Sequence, residues 1–155
     1  MKILIIYGTY STGTLTVAEK AKDMLTKKGH TVAITRNDQT QSEDLLTHDL
    51  VIMGSPSWKV FGKQGMPHEQ YYPMIERLKG QRYDKPFAVY SLGDESYALV
   101  CGSADHLQGF VKELGGHEII EPLKLEGFYF AEEERTKELN HWINTLNDTI
   151  TSTSA

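Results

Sequence analysis

Ile3-Leu4-Ile5-Ile6-Tyr7-Gly8-Thr9-Tyr10-Ser11-Thr12-Gly13-Thr14 joins a continuous apolar run to a hydroxyl-rich loop, and a helical period follows at once, with Leu15, Ala18, Ala21 and Leu25 on one face. A run of β-branched and aliphatic residues without alternation is what a strand buried on both faces requires. Gly29 stands where a helix C-terminus accepts a left-handed residue. Strand, hydroxyl loop and helix are therefore consecutive, and this unit decides the fold.

The same alternation continues along the chain. Apolar runs recur at Thr31–Thr35, Leu50–Gly54, Phe87–Ser91 and Glu118–Leu125. Between them, Tyr71, Ile75 and Leu78 mark a helix closed by Gly80. Leu107, Phe110, Val111 and Leu114 mark another, stopped by Gly115-Gly116, and Leu139, Trp142, Ile143 and Leu146 mark the last. The segment Gln41–His48 has room for one or two helical turns. Five buried strands separated by helices predict an α/β fold: a doubly wound, five-stranded parallel sheet with helices on both faces. The expected domain covers residues 1–148, with 149–155 as a short polar tail that frays. In such sheets ligands sit beyond the carboxyl ends of the strands.

Composition narrows the function. The 155 residues carry 16 Lys and Arg against 21 Asp and Glu, a net charge of −5, which disfavours nucleic acid as a partner and suits docking on basic proteins. A single Cys, Cys101, excludes an internal disulfide and a Cys-x-x-Cys pair. No run of about 18 apolar residues offers a membrane span, and the start lacks the pattern of a signal peptide, so a cytoplasmic protein is expected.

Three loops after strands carry the chemistry. Gly8–Thr14 offers the hydroxyls of Thr9, Ser11, Thr12 and Thr14, a flexible Gly13 and a helix N-terminus, a combination suited to a phosphate. No Lys or Arg lies between Gly8 and Thr16, so a nucleotide-hydrolysing P-loop is excluded. A hydroxyl-rich N-cap is the plain alternative. Gly54-Ser55-Pro56-Ser57-Trp58-Lys59 breaks a strand and places Trp58 in a polar loop, as a packing residue or as a flat wall for a planar ring. Ser91-Leu92-Gly93-Asp94-Glu95-Ser96-Tyr97 does the same with Tyr97. A phosphate nest and two aromatic walls on adjacent strand ends suit a planar cofactor with one phosphate tail. His68-Glu69 begins a zinc-protease pattern that Tyr72 breaks, and the histidines otherwise lie scattered, so no metal site is expected.

Over residues 1 to about 148 the chain resembles the flavodoxins, in their short-chain class. The resemblance is carried by Tyr7–Thr14 with Ala18, by Gly54–Trp58, and by Gly93–Tyr97 followed by Cys101-Gly102. It implies strand order 2-1-3-4-5 and FMN as the cofactor, with the phosphate on Thr9, Tyr10, Ser11, Thr12, Gly13 and Thr14. It further implies that Ser55, Pro56, Ser57, Trp58, Lys59, Leu92, Gly93, Asp94, Tyr97 and Cys101 hold the rest of the cofactor, with the backbone of Asp94 and Cys101 at the pyrimidine edge. Trp58 and Tyr97 would face the two sides of the ring, and the carbonyl of residue 59 would turn toward flavin N5. The phosphate loop departs from the common Thr-Gly-Asn-Thr, with Thr12 where Gly is usual and Gly13 where Asn is usual.

The implied function is that of a monomeric, low-potential electron carrier. It would move single electrons on non-covalent FMN between an NAD(P)H-dependent, flavodoxin-reductase-type donor and redox acceptor proteins, and would not be an enzyme. An FMN-dependent, quinone-reductase-like enzyme on the same fold is the alternative, and a cofactor-free interaction domain is the third possibility.

Overall fold

The computed structural model describes residues 1–10, 12–60, 62–93 and 101–154, with side chains through residue 152. The strands are β1 (Lys2–Tyr7), β2 (Thr31–Arg36), β3 (Leu50–Pro56), β4 (Trp58–Val60), β5 (Lys63–Met66), β6 (Pro86–Gly93), β7 (His117–Glu118) and β8 (Leu123–Glu126). The helices are α1 (Gly13–Lys27), α2 (Ser42–Leu46), α3 (Tyr71–Leu78), α4 (Ser103–Glu113) and α5 (Glu132–Ser154).

The main sheet is ordered β2-β1-β3-β6-β7, and β8 also pairs with β6. Every pairing in it is parallel. Alternation along each strand splits the core in two, as the period of a strand demands. Ile3 and Ile5 of β1, with Leu50 and Ile52 of β3, pack against Val17, Ala18, Ala21 and Leu25 of α1 and Leu139, Ile143 and Leu146 of α5. Leu4 and Ile6, with Val51 and Met53, pack on the opposite face against Met74, Ile75 and Leu78 of α3 and Leu107, Val111 and Leu114 of α4. Both faces are covered, which is why the apolar runs are unbroken. Among the described residues no helix is long and apolar enough to cross a membrane.

Three local features differ from the expectation. The fifth strand position is filled by two pieces: β7 pairs with Pro86 and Phe87, and β8 with Tyr90 to Gly93. The Ile119 N–H still donates to the Phe87 carbonyl at 3.2 Å, and residues 120–122 then leave the ladder, where Pro122 has no N–H to give. The Trp indole of Trp142 donates to the Glu121 carbonyl there at 2.8 Å. Second, β4 and β5 form an antiparallel hairpin where a loop was expected. Third, α5 continues through Ser154, and Ile150 is buried against the core, so residues 149–154 belong to the helix and not to a separate tail.

Parallel register brings the ends of the strands to one edge: Tyr7 lies beside Gly54, and Pro56 beside Leu92. The carboxyl ends of β1, β3, β6 and β8 therefore lie along one edge, with Gly93 beside Glu126.

Candidate functional site

The loop after β1 leaves the sheet beside β3, where the Gly8 N–H donates to the Gly54 carbonyl at 3.1 Å. It enters α1 through Thr12, whose φ of 65° is left-handed. For a residue with a Cβ this costs about 1–2 kcal/mol. Thr12 stands where Gly, which adopts this conformation without that cost, is usual in the resembled motif. Strain at a helix start facing a cavity is characteristic of binding sites. The Thr16 N–H closes the first helical turn on the Thr12 carbonyl at 2.9 Å, and the amides before it have no partner within the helix. Thr14 is 1% exposed, and its Oγ1 is buried without a hydrogen-bond partner. Buried polar atoms are ordinarily satisfied, so an orphan hydroxyl at a helix N-terminus points to a ligand.

The loop after β3 is held by hydroxyls. Ser57 Oγ donates to Ser103 Oγ at 3.0 Å and accepts the Ser103 N–H at 3.0 Å. Ser91 Oγ lies 3.0 Å from Ser57 Oγ and 2.6 Å from Ser103 Oγ. All three serines are buried, so β6 and the start of α4 clamp the loop. Ser55 Oγ accepts the His68 N–H at 2.7 Å and donates to the Pro56 carbonyl at 2.9 Å, and so is engaged within the protein. Trp58 remains half exposed, its ring 5.7 Å from that of Tyr10. Lys59 is exposed in β4, without the positive φ that would suit a Gly there.

After β6 the chain approaches itself closely. A Cβ on Gly93 would stand 2.4 Å from the Cys101 backbone nitrogen, so only glycine fits. Cys101 is buried with φ 54°, and burial pushes its thiol up to about 11. It packs as an inert thiol near the Ser91 carbonyl. Ser11, Asp94 and Tyr97 lie outside the described residues.

A cavity opens at this edge between Thr9, Gly13, Thr14, Pro56, Ser57, Trp58, Leu92 and Gly93. Its remaining wall was not foreseen from the sequence: Gly127, Phe128, Tyr129 and Phe130, in a 3-10 turn between β8 and α5. Tyr10, Thr12, Ser55, Lys59 and Cys101 do not line it, whereas the expected residues Thr9, Gly13, Thr14, Pro56, Ser57, Trp58, Leu92 and Gly93 converge there. One end is hydroxyls and a helix N-terminus, the other is aromatic. No charged residue lines it among the described residues. The donor set fits FMN: the orphan Thr14 hydroxyl and the first amides of α1 suit its phosphate, and Trp58, Leu92 and Phe130 suit its ring.

Tyr10 serves the site from behind. Its ring stacks on His68 at 4.3 Å, and its hydroxyl accepts the Glu69 N–H at 3.1 Å. The Gln70 N–H donates to His68 Nδ1 at 3.2 Å, the Asn37 amide lies 3.2 Å from the same atom, and the ring also bonds the Thr9 backbone. His68 thus braces the loop after β1 in its neutral form. Burial holds its pKa below the usual 6.5, opposed by the carboxylates of Glu69 and Asp38. A base whose folded pKa is depressed stabilises the fold fully above its unfolded pKa and loses that contribution as pH falls through the folded value. Unfolding free energy should therefore fall between about pH 7 and 5, and His68→Gln should shrink that fall. Urea unfolding of both proteins at the two pH values is the check. An equal loss in both would remove His68 from the account.

A family model described as Flavodoxin matches residues 5–142. A Bacillus subtilis protein named "Probable flavodoxin 2" is 31% identical over 140 residues, covering 86% of this chain and 87% of its own. The flavodoxin of Nitratidesulfovibrio vulgaris is 29% identical over 128 residues, 81% of this chain and 84% of its own. The crystal structure of oxidised Flavodoxin 2 from Bacillus cereus superposes with TM-score 0.82 at 25% identity, over 96% of this chain and 99% of that one.

Proposed function

The chain belongs to the flavodoxin family, in its short-chain class, and from that premise we propose that it is a low-potential carrier of single electrons and not an enzyme in its own right. It is an FMN-binding electron-transfer protein. Bound FMN supplies the redox chemistry, and the protein's part is to hold, screen and present it.

The observation that carries this is the cavity itself. It joins the orphan Thr14 hydroxyl at the start of α1 to an aromatic mouth. No Lys or Arg among the described residues lines it, so added negative charge in the cavity meets no countercharge there. Weakly hydrated surroundings without a cation disfavour accumulation of electrons, which supports a low potential. The described lining also holds no Asp, Glu, His or Lys placed for proton transfer to a substrate, so the protein's own residues favour a carrier over a reductase.

Beside the mouth, Phe130 is exposed, and Glu132, Glu133 and Glu134 follow it at the start of α5. With the net charge of −5, this supports brief docking on the basic faces of a reductase-type donor and of redox acceptor proteins. The purified protein should be yellow and release FMN, identified by mass. Stepwise reduction should resolve two one-electron couples, and NAD(P)H with a quinone should be consumed only when a reductase is added. FAD in the released fraction, or rapid NAD(P)H oxidation without a reductase, would overturn the proposal.

A further inference from the structure

We infer that Tyr129, from the turn between β8 and α5, is a hydroxyl ligand of the FMN phosphate and so sets the preference for FMN over riboflavin. The inference rests on the FMN reading above and adds to it a residue from the far end of the chain.

The turn is fixed independently of any ligand. The Gly127 N–H donates to the Gly93 carbonyl at 2.7 Å, which ties the turn to the end of β6. Gly127 has φ 62°, and the Phe130 and Ala131 N–H groups both close on its carbonyl, at 3.0 and 3.2 Å. Phe128 is 3% exposed and anchors the turn in the core, with the ring of Tyr129 set edge to face against it at 5.8 Å. Helices α1 and α5 are further joined by Lys20 and Glu132 at 3.7 Å.

From that anchor the phenol reaches the start of α1. Its Oη lies 3.4 Å from Thr12 Oγ1. A Cβ on Gly13 would stand 2.9 Å from the same oxygen and 3.2 Å from Tyr129 Cε2, so the absence of a side chain at position 13 makes room for the ring. The phosphate loop departs from the common motif at this residue, with Gly where Asn is usual. The hydroxyl of Tyr129 therefore enters space that a side chain of the loop would otherwise fill. Thr9, Gly13, Thr14 and Tyr129 line one cavity, in which the Thr14 Oγ1 is buried without a partner. A dianion there meets no lining cation among the described residues and depends on uncharged donors. A phenol is a more acidic donor than an aliphatic hydroxyl, and hydrogen bonds to charged acceptors are the strong ones.

The test uses the full chain, wild type and Tyr129→Phe, titrated with FMN and with riboflavin by flavin fluorescence. Riboflavin has the ring and the ribityl chain but no phosphate. Tyr129→Phe should weaken FMN about tenfold, equivalent to 1.4 kcal/mol, and leave riboflavin unchanged. The 31P resonance of bound FMN should move in the variant. Equal affinity of both proteins for FMN, or an equal loss for both flavins, would overturn the inference, the second outcome making Tyr129 a wall for the ring. Wild type that binds neither flavin would overturn the FMN reading itself, which the variant comparison alone cannot do.

Discussion

Gly54→Ala should unfold at a markedly lower denaturant concentration than the wild type and should also bind FMN less tightly. Gly54 sits in β3 under the ring of Tyr90 from β6, and a Cβ there would stand 1.9 Å from Tyr90 Cζ and 2.3 and 2.4 Å from the flanking ring carbons. No rotation of a methyl relieves contacts that short, so the ring or a strand must move. Overpacking of this kind costs about 1–3 kcal/mol, and more when the neighbours are rigid. Rigidity is plain here. Tyr90 is 1% exposed, and its hydroxyl, held protonated by deep burial, donates to the Thr14 carbonyl at 2.9 Å. On the other face of the sheet, Tyr71 donates to the Gly54 carbonyl at 2.7 Å and lies 3.2 Å from the Ile6 carbonyl. We expect a loss of about 3 kcal/mol or more, which for a chain of this size lowers Tm by roughly 6–12 °C.

The second consequence follows from the same contact. Displacing the Tyr90 ring releases the first turn of α1, which carries Thr14 into the cavity. The weakened FMN binding should thus survive correction for the unfolded fraction. Gly109→Ala supplies the contrast: it lies in α4 with nothing within 4 Å of a built Cβ. It should stabilise by about 0.5–1 kcal/mol through helix propensity. Equal stability of Gly54→Ala and wild type in urea unfolding would mean that the strands separate there at little cost.

Why the sheet was legible and the far wall was not comes down to the range of the interactions. The runs Ile3–Tyr7 and Leu50–Gly54 announce burial on both faces through their own composition, and the two cores confirm it residue by residue. Register could not be read that way. The run Glu118–Leu125 looks continuous, yet it breaks at residues 120–122, and only pairing with β6 reveals which residues leave the ladder. The hairpin of β4 and β5 turns on Gly62 at φ 75°, a turn signal visible in the sequence but outweighed by the polar residues around it. His68 gave no signal, because its partners Asn37 and Tyr10 lie far from it in sequence and meet it only through the sheet. The aromatic turn did give one. Gly127-Phe128-Tyr129-Phe130 follows a strand end, as Trp58 does, and the same logic applied to the fourth strand-end loop would have found it.

Trp58 should prove the largest single contributor to flavin affinity among the described residues. It lines the aromatic end of the cavity, and at 39% exposure it is neither sealed in the core nor free of the site. Its backbone pairs with Met66 in the hairpin, so the ring can be removed without taking the strand away. Trp58→Ala should therefore leave the unfolding transition nearly unchanged. Loss of stacking and of buried apolar area should cost about 1–3 kcal/mol in binding, roughly 5- to 150-fold in Kd. Flavin emission, quenched by contact with an electron-rich indole, should rise in the bound variant. The ring and not the phosphate is the group lost from contact, so FMN and riboflavin should weaken by the same factor. That pattern is opposite to the one expected for Tyr129→Phe. A fluorescence titration of each variant with each flavin separates the two ends of the cavity. If Trp58→Ala changes neither affinity nor emission, the indole is a packing partner of Tyr10, and the ring must find its contacts elsewhere in the cavity.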